Sequence, residues 1–445
     1  MSHTNIRCGT GCVALLAALV GCADEAVNLG GGRVSQEIQR GVRCSESPIV
    51  VGAVRIRSQA DIEDLAGCEE IDGDLHVEIF AGADLSPLSS LRVVGGLLEL
   101  GAYPEIPEGD VDVGALEALR QEIDAILAAG YLPTLRGLDN LQRVAALEIY
   151  SIAAEELTPL SALRELSGRS DLPFGFVGIY ETSVRSLQGL ENLDGIEDLV
   201  LGDNLDLESL GGIALGPDVS TVSLVNSPGL TSIAELASLE HMAALDLTNL
   251  GITDLDSLDN LYGVDLAIDL SSNRQLANVD PIAQMSTESL RIVDNAVLRS
   301  IPALPNMTYL DTFVAVGNPA LEAIDIVLPE AGPGPRSVHY ESLVDPITVI
   351  DIGDNAALTR VSLTAGLAEG RFVAIYANPS LTDLTLGTLS RLQELTIDNN
   401  RSLSRLDLGL LETVESLVVV DNPALATAPL AAVRTFETTF DNNEP

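Results

Sequence analysis

Ile350-Asp351-Ile352-Gly353-Asp354-Asn355-Ala356-Ala357-Leu358-Thr359-Arg360-Val361 decides how this chain is read. Two apolar residues flank one polar residue, as in a strand with one buried face. An Asn follows, then a Leu three positions on, then another apolar residue. The unit returns as Leu199-Val200-Leu201 with Asn204, Leu290-Arg291-Ile292 with Asn295, and Val373-Ala374-Ile375 with Asn378. It returns again as Leu395-Thr396-Ile397 with Asn400 and Leu417-Val418-Val419 with Asn422. A fixed period of roughly 22–24 residues is the mark of a solenoid.

Strand cores extend from Leu75/Val77 through Leu147/Ile149 and Val314/Val316 to Leu417/Val419. In each, alternation turns two apolar side chains inward and the residue between them outward. The expected fold is therefore mostly β, a right-handed parallel β solenoid of about 14 coils with one inserted helix. The Asn after each strand closes the turn, its amide bonding to backbone of its own and the adjacent coil. The expected ladder is Asn204, Asn226, Asn249, Asn273 and Asn295, then Asn318, Asn355, Asn378, Asn400 and Asn422. Buried amides of this kind are structural rather than ligand contacts.

The motif Leu-x-Ile-x-x-Asn-x-x-Leu-x-x-Leu resembles receptor L domains and bacterial leucine-rich repeats from about Cys44 onward. Near its start, Gly67-Cys68-Glu69-Glu70-Ile71-Asp72-Gly73-Asp74-Leu75 resembles the entry to the first coil of a receptor L domain, with Gly67 where that family has Asn. The resemblance implies that Cys68 pairs with a Cys about one coil upstream, the place of Cys44. An even pair in an exported chain also favours a disulfide. It would close the open end of the core, where a first coil has no neighbour. The Cys-rich modules that accompany receptor L domains are absent, so the coil type carries over and receptor identity does not.

Arg7, the apolar run Val13–Val20 and then Gly21-Cys22 describe an export signal over residues 1–21. Leu19-Val20-Gly21-Cys22 resembles the bacterial lipobox, which implies acylation of Cys22 and a site in the cell envelope, on the outer membrane or cell surface of a bacterium. An ordinary secreted protein with an incidental Cys22 is the competing reading. Residues 22–43 are polar, contain Gly30-Gly31-Gly32 and read as a flexible tether. The solenoid is expected over 44–436 and a disordered tail over 437–445.

Two stretches break the period. Leu116, Leu119, Ile123 and Leu127 recur at helical spacing and Gly130 supplies a stop, which predicts an amphipathic helix packed on the coils. Pro329–Arg336 is rich in Pro and Gly and predicts a loop excursion.

Net charge is −43, from 66 acidic and 23 basic residues, and every basic residue is Arg. Nucleic-acid binding needs a basic patch and is excluded on this ground, as is attraction to anionic lipid. The acidity reads as a solvated surface. His76, His241 and His339 are scattered, and no pair has metal-binding spacing. Asp254, Asp256 and Asp259 lack the regular calcium-loop pattern and read as a turn. No nucleophile elbow, phosphate loop or dinucleotide fingerprint is present. The expectation is no enzyme, no metal and no cofactor. The enzyme to weigh is a parallel β-helix polysaccharide-active protein, but Trp is absent and aromatics are 3%.

Repeat proteins bind through the face made by corresponding positions of successive coils. Here Tyr150, Tyr180 and Tyr376 fall in the outward column just after the strand cores, with Glu99 and Glu148 in the neighbouring column. The expected role is recognition of a protein ligand that presents Arg or Lys, the membrane being touched through the lipid anchor only. A structural or adhesion protein of the envelope is the alternative.

Overall fold

The structure, a computed structural model, describes residues 44–441 apart from 45–46, 103–112, 169–173, 308–309, 329–348, 366–368, 388, 427–429 and 431–432. The export signal, Cys22, the tether and the Pro329–Arg336 excursion therefore lie outside the described residues. The chain is a parallel β-solenoid of about 14 turns. It divides into two compact units, Met1–Ser238 and Leu239–Pro445.

In unit one, each strand pairs in parallel with its counterpart one coil on. Leu98 faces Leu147, Leu147 faces Val177, and Val177 faces Leu199. These inward residues are fully buried, so the apolar-polar-apolar triplet becomes a continuous core column. On the second side, short 3-10 turns at Ser86–Leu88 and Thr158–Leu160 each bury one Leu. Helix Val113–Ala128 forms where the 3.6-residue pattern predicted it, buries Ile123, and ends before Gly130 at φ +88°. The N-terminal end is closed by helix Gln59–Asp64, N-capped by Ser58, and by a Cys44–Cys68 disulfide with Cα atoms 5.1 Å apart.

Unit two adds a second sheet across its core. Its five short strands are Ser300–Ile301, Ala323–Leu328, Arg360–Ala365, Asp383–Thr385 and Arg405–Asp407. Ile324, Val361 and Leu384 stack in register on that side and are buried. One coil is displaced by a residue from the sequence reading. Leu290 faces Phe313 and Ile292 faces Ala315, so Phe313 and Ala315 point inward, not Val314 and Val316. A one-residue slip exchanges the two faces of a strand, and the bulk of Phe313 fills the core that Val314 was expected to fill.

The Asn ladder runs through unit two as Asn273, Asn295, Asn318, Asn355, Asn378, Asn400 and Asn422, all at 0% exposure. Each Oδ1 accepts the backbone N–H of the previous coil's turn, and each Nδ2 donates to a strand carbonyl of that coil. Asn295 shows both bonds, from Asn273 N at 3.0 Å and to Leu270 O at 2.8 Å. Unit one carries Asn204 in the same role, bonded to Thr182 N and Ile179 O.

Asn226 and Asn249 do not belong to the ladder. Each sits one residue earlier, at φ +53° and +54°, and the ladder position of its coil holds Ser227 or Leu250. The same left-handed position is filled by Asp203, Asp294, Asp354 and Asp421, and by Gly317 in the displaced coil. Asn and Asp tolerate this conformation better than other side chains. Asn thus serves two jobs one position apart, and only the offset from the strand separates them. At the C-terminal end, strand Arg434–Asp441 pairs with Thr413–Val420, so 437–441 extend the sheet where a frayed tail was expected.

Candidate binding face

Strands Val54–Ile56, Leu75–Glu78, Val93–Ala102 and Arg143–Tyr150 set Arg55, His76, Glu99 and Glu148 in register on successive coils. Their strand neighbours are buried in the core, which turns these four outward. Glu99 and Glu148 are like charges directly opposite one another, an unfavourable pairing. Each is turned to a different partner. Glu99 Oε2 meets His76 Nδ1 at 2.5 Å, and Glu148 Oε2 accepts the Tyr150 hydroxyl at 2.9 Å.

Beside them Glu78 is only 4% exposed and accepts Arg55 Nη1 at 3.1 Å and Arg57 Nε at 2.9 Å. A buried carboxylate is tolerated when charged donors satisfy it in this way. The buried Tyr131 hydroxyl donates to the Glu78 carbonyl at 3.0 Å. Burial, then the Glu78 charge, push that hydroxyl well above the usual phenol range.

Tyr150 and Tyr180 are register partners, and their rings stack at 4.9 Å with planes 13° apart. Adjacent strands lie about 4.8 Å apart, so the sheet itself sets the ring separation. Two glycines make the floor. A Cβ on Gly178 would stand 2.7 Å from Tyr180 Cε2, and one on Gly202 would stand 3.1 Å from Tyr180 Cδ1. The Tyr180 ring leans onto space that any other residue would fill. Both tyrosines are half-buried.

Tyr376 belongs to unit two and uses the same device. It is the register partner of Gly353, where a Cβ would lie 2.2 Å from the Tyr376 Cζ. Its hydroxyl hydrogen-bonds Asp351, and burial, followed by the Asp351 charge, pushes it up to about 12. Burial raises the Asp351 carboxyl, against the lowering effects of the Tyr376 bond and the Arg291 charge. Of the five expected face residues, Glu99, Glu148, Tyr150 and Tyr180 form one patch in unit one; Tyr376 forms its own with Asp351.

An acidic residue followed two positions on by a hydroxyl recurs along the face, and this was not read from the sequence. Thr248 donates to Asp246 at 2.6 Å, Ser271 donates to Asp269, and Thr396 donates to Glu394 at 3.3 Å, as Tyr150 does to Glu148. Residues i and i+2 of a strand share a face, so the acid-x-hydroxyl triplet was the available signal. Asp269 also accepts Arg291 Nε at 3.1 Å. Among the described residues no group of three or more His, Cys, Asp or Glu is placed to hold a metal ion. Asp254 and Asp256 are used in turns, Asp254 accepting the Thr253 hydroxyl at 2.8 Å and Asp256 the Asn278 amide at 3.2 Å.

No protein-family model matches the chain, and no curated protein matches it. Solved structures similar to it are leucine-rich-repeat proteins. An internalin from Listeria monocytogenes is 14% identical, covers 87% of this chain and 84% of its own, with a TM-score of 0.29. A leucine-rich-repeat protein of Leptospira interrogans is 12% identical over 84% of this chain and 91% of its own, with a TM-score of 0.30. Drosophila Toll, in complex with Spatzle, is 15% identical over 92% of this chain and 51% of its own, with a TM-score of 0.36.

Proposed function

We propose that the chain is a lipid-anchored envelope protein that recognises a protein ligand through the sheet face of unit one. The observation that carries this reading is the Tyr150–Tyr180 stack set beside Glu148 and Glu99. Tyrosines that keep apolar ring area at the surface and a polar end in water are favoured interface residues. The adjoining carboxylates suit a ligand that presents Arg, which can stack on an aromatic face and bond a carboxylate at once. Acylation at Cys22 supplies the anchor in this reading.

The test is peptide display on the purified chain, with the Tyr150→Ala, Tyr180→Ala double variant as counter-selection. Arg-bearing peptides that bind the parent at least about tenfold tighter than the folded double variant support the reading. Equal binding to both moves the site off this face. Anchoring is tested separately: Cys22→Ser should shift the protein from the membrane to the soluble fraction, and a variant that stays membrane-bound overturns it.

A further inference from the structure

The middle outward column of the unit-two sheet runs Asp246, Asp269, Arg291, Val314, Asp351 and Ala374 in register. Its first two carboxylates are buried and supplied with donors. Asp246 accepts the Thr248 hydroxyl, and Asp269 accepts the Ser271 hydroxyl and Arg291 Nε. Asp351 is placed differently. Two positions on it has Gly353 instead of a hydroxyl residue, so its hydroxyl bond comes from Tyr376 on the next coil. Its register neighbours, Val314 and Ala374, have no polar side-chain atom to offer. Asp351 Oδ1 is buried and makes no hydrogen bond. A carboxylate oxygen in that state is costly, and a charged donor is the group that offsets the cost best.

The side chains around Asp351 are apolar. Val314 and Val316 on one side, Val349 on its own strand, and Phe372 and Ala374 on the other share its outward face. Phe372 is 39% exposed, and Val316, Val349 and Ala374 are half-buried. The coils on either side return to polar residues, Ser289 and Arg291 before and Glu394, Thr396 and Asp398 after. Asp294 and Asp354 stand exposed at the turns along the border. Of the two arginines nearby, Arg291 is held by Asp269, and Arg371 lies against the Phe372 ring at 5.8 Å. An apolar patch with a polar rim marks an interaction surface. The surplus of acids, with one carboxylate at the centre, selects a partner that brings a cation.

We propose that this patch docks a protein segment carrying one Arg or Lys between aliphatic side chains, with the cation bound to Asp351 and the aliphatic groups on Val316, Val349 and Phe372. Oδ1 has no solvent access, so the donor arrives with a movement of the Tyr376 ring, whose hydroxyl already lies at this carboxyl. A charge-assisted bond is roughly twice as strong as a neutral one, which favours exchange of the hydroxyl for the cation. This surface belongs to unit two and does not rest on the Tyr150–Tyr180 reading.

Selection of displayed random peptides tests this. The bait is the full chain carrying Tyr150→Ala and Tyr180→Ala, so that binding at the unit-one face does not enter. Binders should be enriched in a single Arg or Lys flanked by aliphatic residues. Asp351→Asn, which keeps the shape and removes the charge, should weaken them by about tenfold or more. Phe372→Ser, at a surface position, should weaken them by a similar factor. The melting temperature of each variant checks that it is folded. Adding a selected peptide should shift the Tyr376 ring-carbon NMR signal, assigned by its loss in Tyr376→Phe. Failure to select any peptide, binders without a basic residue, binding unchanged by Asp351→Asn in a folded chain, or a Tyr376 signal that stays in place each overturns the proposal. A loss on Phe372→Ser alone would show an apolar contact without the cation, which also overturns it.

Discussion

Asn378 and Asn400 are joined twice: the Asn378 backbone N–H donates to Asn400 Oδ1 at 3.1 Å, and Asn378 Nδ2 reaches the same oxygen at 3.2 Å. The same Nδ2 also donates to the carbonyls of Ile352 at 3.0 Å and Tyr376 at 2.8 Å. One side chain thus ties three successive turns of unit two with no solvent access. Hydrogen bonds here do not compete with water, so the cost of losing one is the cost of an unsatisfied buried group.

Asn378→Ala should therefore destabilise the protein by about 1–3 kcal/mol. Asn226→Gly is the control. Asn226 is left-handed at φ +53° and lies outside the ladder, and Gly adopts that conformation freely. Its exposed bond to Asp203 is lost and Gly adds an entropic cost of about 0.4–1 kcal/mol, so its effect should stay at about 1 kcal/mol or below. Urea unfolding of the two variants distinguishes the roles, and equal losses would contradict the assignment.

Ala377 occupies the left-handed turn position at φ +52°, where neighbouring coils use Asp, Asn or Gly. A Cβ in this region costs roughly 1–2 kcal/mol, against an entropic cost of about 0.4–1 kcal/mol for introducing Gly. Ala377→Gly should stabilise the fold slightly, by up to about 1 kcal/mol. A lowered urea midpoint would show that the strain is relieved some other way.

The repeat was legible because its signal is physical at two periods at once. Alternation marks the strand, and a fixed spacing marks the coil. The outward tyrosines were legible for the same reason, since Tyr150 and Tyr180 hold the same offset from their strand cores. What failed was resolution to a single residue. A strict offset of three from the last inward residue selects Asn204 and Asn273 and rejects Asn226 and Asn249. The same rule applied backward from Asn318 returns Ala315, not Val316, as the inward residue of the displaced coil. Small Ala315 between larger apolar residues hid that register. The His76–Glu99 and Arg55–Glu78 pairs were not legible, because each joins residues one coil apart and depends on knowing which strands are neighbours.

Acid should first stabilise this protein. Burial raises the carboxyls of Asp198, Glu288 and Asp351, with the charges of Asp311 and Asp265 adding to the effect on Glu288. These groups bind a proton more tightly in the fold than in the unfolded chain. Stability is then fully present below the unfolded value, near 4, and is lost as pH rises through the raised folded value. Falling net repulsion acts in the same direction. The melting temperature should rise from pH 7 to about pH 5, and Glu288→Gln should raise it at pH 7 while flattening the rise. A melting temperature that falls steadily on acidification from pH 7 would be the contrary result.

Gly353 tests the aromatic floor directly. A Cβ there would stand 2.2 Å from the Tyr376 Cζ and 2.4 Å from Cε2, so Gly353→Ala must displace the ring. A displaced ring loses its burial, its bond to Asp351 and the proximity of the Asp351 charge, and all three raise the Tyr376 hydroxyl from 10.0 to about 12. Every contribution changes in the same direction, so the hydroxyl should titrate close to an ordinary phenol in the variant. Tyrosine ring-carbon NMR, with the Tyr376 signal assigned by its loss in Tyr376→Phe, reads this out. A second consequence follows at Asp351, where loss of the hydroxyl bond and gain of solvent oppose one another, so its titration should move less than that of Tyr376. If Tyr376 keeps its high value in the Gly353→Ala variant, the sheet has shifted instead of the ring, and the glycine is not what seats it.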